Sequence, residues 1–229
     1  METVQLPEVR ERTAVEDIRP WAVTAGAGLL LMSALAGFAN FGVVEQLKTA
    51  ADIAASEGLF RAGIAGLFGV IVLDIVVAVA LYRFFSPVSK NLSLLAATFR
   101  LVYAAVFMVA LGHLLAVLRL LGDPQAVLHE LDAFSDVWLT GLGLFGCHLV
   151  LIGYLAYRSG YVPRLLGALL VIAGLGYVAD AVGTISGHNL VIANFTFLGE
   201  FLLALWLVVR GGRVRTEQSR VRSRPGRES

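Results

Sequence analysis

The stretch GVIVLDIVVAV, residues 69–79, places one carboxylate, Asp74, inside an otherwise apolar run. An ionised side chain in hydrocarbon is costly, so it is expected to face the protein interior and to have a partner there. Arg100 and His148 lie in later apolar runs. Counted from the ends of their runs at the 1.5 Å helical rise, all three residues are about 12–13 Å deep. The sequence therefore predicts an inner polar layer of Asp74, Arg100 and His148.

Two interpretations of this inner layer remain open. An arginine stays charged while a neighbouring histidine titrates, which suits a proton relay or a polar ligand site. Alternatively, Asp74 neutralises Arg100 in a static clamp between consecutive helices, as many buried ion pairs do. The sequence favours the clamp. Removal of Asp74 is expected to harm folding more than removal of Arg100, because a stranded guanidinium cannot deprotonate whereas a stranded carboxylate can take up a proton.

A second set of polar residues is predicted nearer the outer ends of the apolar runs. Three of its members follow at i, i+3 and i+7 and so form one stripe of a helix. This outer layer consists of His113, Tyr177, Asp180, Thr184 and Glu200. It is interpreted either as a water-filled vestibule or as a dry network in which one carboxyl group is protonated and donates a hydrogen bond.

The sequence gives little support for a haem site, a zinc site or a known catalytic motif. A bis-histidine haem requires imidazoles at one depth, but His113 and His148 differ by about 6 Å along the membrane normal. The outer layer offers one histidine and two carboxylates, a poorer set than zinc usually takes. No nucleophile elbow, P-loop, Cys-x-x-Cys pair or His-Glu-x-x-His helix occurs in the sequence. We predict no metal site, and catalytic residues and cofactors stay unassigned.

The composition indicates the elements that must position these residues. Hydrophobic residues make up 58% of the 229-residue chain, charged residues 15%, and the mean hydropathy is +0.79. These values lie outside the averages of soluble domains and predict an all-α polytopic membrane protein. Glycines in several apolar runs, Gly146 and Gly174 among them, indicate close helix packing rather than a ligand. The six predicted transmembrane helices are 21–44, 59–82, 92–121, 136–157, 165–186 and 190–209.

The distribution of charged residues predicts how the chain is divided into segments and how it is oriented in the membrane. We expect a polar N-terminal segment at 1–20, a six-helix transmembrane domain at 21–209 and a basic, disordered tail at 210–229. Basic residues are retained on the cytoplasmic side of a membrane. The connections that hold Arg83 and Arg158 and the arginine-rich tail share one side of the predicted bundle. Both termini of this multi-pass protein are therefore predicted to lie on the cytoplasmic side of the cell membrane.

Three segments carry a family resemblance. They are LFRAGIAGLFGVIVLDIVVAVALYRFFSPVSKNLSLLAATFRLVYAAV at 59–106, GLGLFGCHLVLIGYLAYRSGYVPRLLGALLVIAGLGYVAD at 141–180 and LGEFLLALWLVVRGG at 198–212. The chain resembles a bacterial and archaeal membrane family known as domain of unknown function family 4386. The hairpin GYLAYRSGYVPRLLG and the Gly199-Glu200 pair before Trp206 are the most specific markers. The resemblance implies a multi-pass membrane fold and transfers no catalytic residue.

Polar groups at two depths without a catalytic set favour a non-enzymatic membrane protein that binds or carries a small amphipathic or lipid-like ligand. Proton coupling would use Glu200, Asp180 and His113. The alternatives are an intramembrane metal-dependent enzyme built on the outer layer and a structural or regulatory subunit without a ligand. Membrane lipid and a small amphipathic ligand are the expected partners, with no nucleic acid, and the sequence gives no oligomeric state.

Overall fold

Every regular element that the computed structural model describes is a helix, as the sequence predicts. The described residues are 18–188 and 198–211. Five helical stretches within them are long and apolar enough to cross a membrane, and the protein is a polytopic helical membrane protein. The helices are α1 (Arg19–Ala39), α2 (Ala50–Ala55), α3 (Glu57–Phe85), α4 (Lys90–Val117), α5 (Pro124–Ser159), α6 (Arg164–Ile185) and α7 (Leu198–Val209).

The described part of the sixth predicted span is helical. Helix α7 has 12 residues, against the 20 of the predicted span 190–209. The first part of that span, 190–197, lies outside the described residues, as do 1–17 and most of the basic tail. The predicted terminal segments and the sixth span therefore stay predictions.

Helix α5 extends well beyond the predicted fourth span, which began at 136. It starts at Pro124, and the side chain of Asp123 caps it by accepting hydrogen bonds from the backbone N–H groups of Gln125 and Ala126 at 3.1 and 3.2 Å. Proline suits the first helical position because its missing N–H would have no partner there. The predicted span did not include the first third of α5, because these residues are helical but polar.

The connection between α1 and α3 is also largely helical. A π-helical turn, Asn40–Val44, continues α1, and the Asn40 amide donates to the Ala36 carbonyl oxygen at 3.1 Å. Thr49 then caps α2 by accepting from the backbone N–H of Asp52 at 3.1 Å. The predicted outer loop is thus mostly ordered by local hydrogen bonds.

Six of the described helices pack in chain order around a closed ring. Each contacts the next, from α1 through α3, α4, α5 and α6 to α7, and α7 returns to α1. The α5–α6 contact is the most extensive, and the α6–α7 contact is the least extensive in the ring. Side chains from several helices can therefore meet at the centre.

Glycines bring α5 and α6 together, as the sequence predicts. A Cβ atom on Gly146 would lie 2.5 Å from the carbonyl oxygen of Gly174, and one on Gly153 would lie 2.7 Å from that of Gly167. The two antiparallel backbones thus touch at points two helical turns apart. Between the helices, Gly160 adopts a φ of 71°, the left-handed conformation that ends α5 and allows the chain to turn.

Candidate functional site

A fully buried arginine occupies the centre of the ring. The Arg100 side chain is 1% exposed, and its Nε donates to Asp74 Oδ1 at 2.8 Å. Asp74 is also 1% exposed. The contact predicted between these consecutive helices is present. Among the described residues nothing donates to or accepts from Asp74 Oδ2, so the carboxylate uses only one of its oxygens.

His148 joins the pair from α5, and its two ring nitrogens have different partners. Nδ1 lies 2.9 Å from the carbonyl oxygen of Ala96, and Nε2 lies 3.1 Å from Nη1 of Arg100. A carbonyl oxygen only accepts, so Nδ1 carries the proton. Nε2 then accepts from the guanidinium, because a second N–H would face an N–H donor. The geometry therefore defines a neutral imidazole whose Nε2 lone pair points toward Arg100.

Glu200 lies in the same cluster, which corrects its predicted place in the outer layer. Nη1 of Arg100 donates to Glu200 Oε1 at 3.3 Å, and the glutamate side chain is 21% exposed. The depth of Glu200 had been counted from the outer end of its span, at ten residues. Val209, the inner end of α7, is nine residues away. The residue is close to mid-span, so depth alone did not assign it to either layer.

Apolar and aromatic groups complete the surroundings of Arg100. Its Nη2 meets Met32 Sδ of α1 at 3.7 Å, and its Cζ lies 5.2 Å from the ring centre of Phe145. Phe145 also stacks on His148 with ring centres 5.7 Å apart. A cation over an aromatic face is attracted by the negative face of the ring. The arginine cluster, defined here as Met32, Asp74, Arg100, His148 and Glu200, thus draws on five of the six ring helices.

Of the remaining members of the predicted outer layer, His113 lies apart, whereas Tyr177 lies close enough to Asp180 and Glu200 to interact electrostatically with them. His113 Nδ1 lies 2.7 Å from Glu130 Oε2 in the polar first third of α5. The Thr184 hydroxyl donates to the backbone carbonyl of Asp180 at 3.0 Å, an ordinary contact within α6. Tyr177 packs edge-on against Phe145, with ring centres 5.6 Å apart.

This arrangement bears on the metal-enzyme alternative. Over residues 18–188 and 198–211, no three His, Cys, Asp or Glu side chains are grouped so that they could hold a metal ion. His113 contacts Glu130 and Glu200 contacts Arg100, so the two residues belong to different interactions. The proposed histidine and carboxylate layer is therefore not assembled.

A groove on the lipid-facing side of the bundle was not predicted from the sequence. It has a volume of about 630 Å³ and runs along α5 between α4 and α6. Its walls are almost entirely apolar, with Asp136 and Thr140 toward one end and Cys147 toward the other. Val106, Val178, Val182 and Ile185 form the sides. The signal for this groove in the sequence was the recurrence of small or polar residues on a single face of α5.

The fold and the cluster define a class: a polytopic helical membrane protein with a buried arginine between two carboxylates and a neutral histidine. The chain belongs to the family described as Domain of unknown function (DUF4386), whose model matches residues 24–211 and so includes the whole arginine cluster. A relative from Archaeoglobus fulgidus, described as an uncharacterized protein, is 45% identical over 148 residues, which are 65% of this chain and 83% of the relative. No solved structure matches the chain.

Proposed function

We propose that the protein binds a lipid-like amphiphile with an amine head group in the groove along α5. The observation that carries this proposal is the apolar groove with a carboxylate and a hydroxyl group toward one end. Its volume of about 630 Å³ falls within the usual range of small-molecule sites. By helical rise, the distance along α5 from Asp136 to Cys147 is about 16 Å, which suits an extended hydrocarbon chain.

The polar end of the groove supports the choice of head group. Asp136 and Thr140 are both exposed and lie one helical turn apart on α5. A carboxylate attracts a cationic amine, and the hydroxyl can accept one of its hydrogen bonds. An anionic head group would meet like charge at Asp136.

We further propose that the protein resides in the cell membrane with both termini on the cytoplasmic side. The support is the arginine asymmetry of the connections, with Arg83 and Arg158 on one side together with the tail. In this orientation Asp136 faces the outer leaflet. The amphiphile would therefore enter the groove from that leaflet with its head group at the outer surface.

Native mass spectrometry of the detergent-solubilised protein with added phosphatidylethanolamine tests the proposal. We expect one retained lipid in the wild type, loss of binding in Thr140→Phe, which fills the groove, and weaker binding in Asp136→Asn. The matched controls are Thr98→Phe and Asp132→Asn, which change exposed residues outside the groove. Equal retention in all four variants would contradict the proposal and favour a subunit without a ligand.

The single cysteine provides an independent measurement in the unaltered protein. Cys147 lines the groove and is half-buried. Bound phosphatidylethanolamine should slow its alkylation by a membrane-permeant maleimide, whereas phosphatidylglycerol at the same concentration should not. Equal rates with both lipids would contradict the choice of an amine head group.

A further inference from the structure

We propose that the arginine cluster holds one exchangeable proton and that Glu200 carries it. This site lies inside the ring of helices, and the inference does not depend on the ligand in the groove. It rests on the charges that meet at Arg100, on their distances and on their exposure.

The groups that contact Arg100 come from four other helices of the ring, and α6 contributes a residue behind them. Helix α1 contributes the Met32 sulfur, α3 Asp74, α5 His148 and the Phe145 ring, and α7 Glu200. From α6, the Tyr177 ring packs on Phe145, and Tyr177 interacts electrostatically with Glu200 and Asp180. From α4 itself, Tyr103 lies against Phe145 with ring centres 5.0 Å apart, and its hydroxyl accepts a hydrogen bond from Trp138 at 3.1 Å.

The charges in this cluster do not cancel when both carboxyl groups are ionised. Arg100 supplies one positive charge at every relevant pH. His148 is neutral, because its Nδ1 donates to Ala96 and its Nε2 accepts from Arg100. Asp74 and Glu200 would then supply two negative charges. An uncompensated charge in a buried site is costly, so one bound proton stabilises the cluster by making it neutral.

The contact distances assign the proton to one of the two carboxyl groups. Asp74 Oδ1 lies 2.8 Å from Arg100 Nε, the distance of a strong charge-assisted hydrogen bond. Glu200 Oε1 lies 3.3 Å from Nη1, beyond that range. Asp74 is therefore the ionised counter-ion of the arginine, and Glu200 is the group that carries the proton.

Exposure agrees with this assignment. The Glu200 side chain is 21% exposed, whereas that of Asp74 is 1% exposed. Of the two carboxyl groups, Glu200 is therefore the less enclosed by protein. When Glu200 loses its proton, the cluster gains a negative charge next to Arg100, and the contact between α4 and α7 becomes an ion pair. Proton exchange would thus change the side-chain contact between α4 and α7.

Infrared spectroscopy of the purified protein in detergent tests the inference, because a protonated carboxyl group has a carbonyl stretch separate from that of a carboxylate. We expect one such band at neutral pH, which shifts when glutamate is labelled with ¹³C at the side-chain carboxyl carbon. Labelling aspartate in the same way should leave the band unchanged. This measurement needs no variant, so it does not depend on whether an altered cluster folds.

Variants then test the charge count. Glu200→Gln should remove the band. Asp74→Asn should also remove it, since Glu200 becomes the sole counter-ion of Arg100 and ionises. The control Asp132→Asn, an exposed residue of α5, should leave the band unchanged.

Three results would overturn the inference. A wild-type protein without the band at any pH at which it remains folded would indicate a static clamp with both carboxylates ionised. A band that shifts with labelled aspartate would place the proton on a buried aspartate, Asp74 or Asp180, and not on Glu200. A band that forms only when sodium is withdrawn would show that a metal cation, not a proton, balances the second carboxylate.

Discussion

Arg100 and Glu200, one hundred positions apart in the chain, meet at 3.3 Å and connect α4 to α7. The same guanidinium binds Asp74 at 2.8 Å, so two carboxyl groups contact one cation. Each carboxylate can act as the counter-ion when the other is neutralised. This arrangement changes the expected outcome of mutating the cluster.

The first prediction concerns the coupling between the two carboxylates. Asp74→Asn and Glu200→Gln should each be tolerated, because the remaining carboxylate neutralises Arg100 and the new amide oxygen still accepts a hydrogen bond. The double variant leaves a buried guanidinium without a counter-ion, a change that typically costs about 3–5 kcal/mol. Thermal unfolding in detergent should therefore show a loss in the double variant that exceeds the sum of the two single losses. Additive losses would mean that the carboxylates do not share the arginine.

Arg100→Leu should be more harmful than Asp74→Asn, the reverse of the order expected when only Asp74 was assigned to the arginine. The leucine removes the donor to Asp74, His148 and Glu200 together. Asparagine keeps an acceptor for Arg100 Nε. A lower midpoint of thermal unfolding for Asp74→Asn than for Arg100→Leu would contradict this second prediction.

The sequence was sufficient to predict the Asp74–Arg100 contact for a simple reason. The two residues lie on consecutive helices joined by a short turn, so both depths are counted from the same end. Glu200 offered no such reference, because it lies close to the middle of its span. The sequence did not indicate that Phe145 and Met32 contact Arg100 either, because apolar residues in an apolar run look alike. The fold class followed from composition, whereas the closure of the ring by α7 depends on contacts between distant parts of the chain.

The third prediction concerns the glycine contacts between α5 and α6. Gly174→Ala would bring a Cβ atom to 2.5 Å from the carbonyl oxygen of Gly146, so the backbones must separate. Gly112→Ala in α4 is the matched control, because a Cβ there meets nothing within 4 Å. We expect Gly174→Ala to lower the unfolding temperature. The control Gly112→Ala should not lower it, because alanine is a better helix former than glycine. Equal midpoints would show that the two helices are not in backbone contact.

The fourth prediction concerns the turn between α5 and α6, where the Tyr161 hydroxyl donates to the carbonyl oxygen of Phe84 at 2.9 Å. Burial raises the pKa of this phenol above its usual value. Its contribution to stability is therefore fully present below pH about 10, the ordinary tyrosine pKa, and declines as the pH rises above it. Tyr161→Phe should cost about 1 kcal/mol at neutral pH through the lost hydrogen bond. The difference between wild type and variant should shrink in alkali, and a constant difference would contradict the buried hydrogen bond.

The last prediction concerns the number of spans, which decides where the C-terminus lies. The 12 residues of α7 cover about 18 Å, short of the roughly 30 Å of hydrocarbon in a bilayer. A sixth span therefore requires the apolar residues before Leu198 to continue the helix. Six spans place both termini on one side, whereas five place them on opposite sides.

Arginines follow α7 directly, and basic residues are retained in the cytoplasm, so we expect a C-terminal reporter fusion to be cytoplasmic. Fusions at Ser86 and Gly160 should also be cytoplasmic, and fusions at Gln46 and Gly122 should be external, which provides internal controls for the orientation. An external C-terminus with the other four fusions as expected would show that α7 enters the bundle without crossing the membrane.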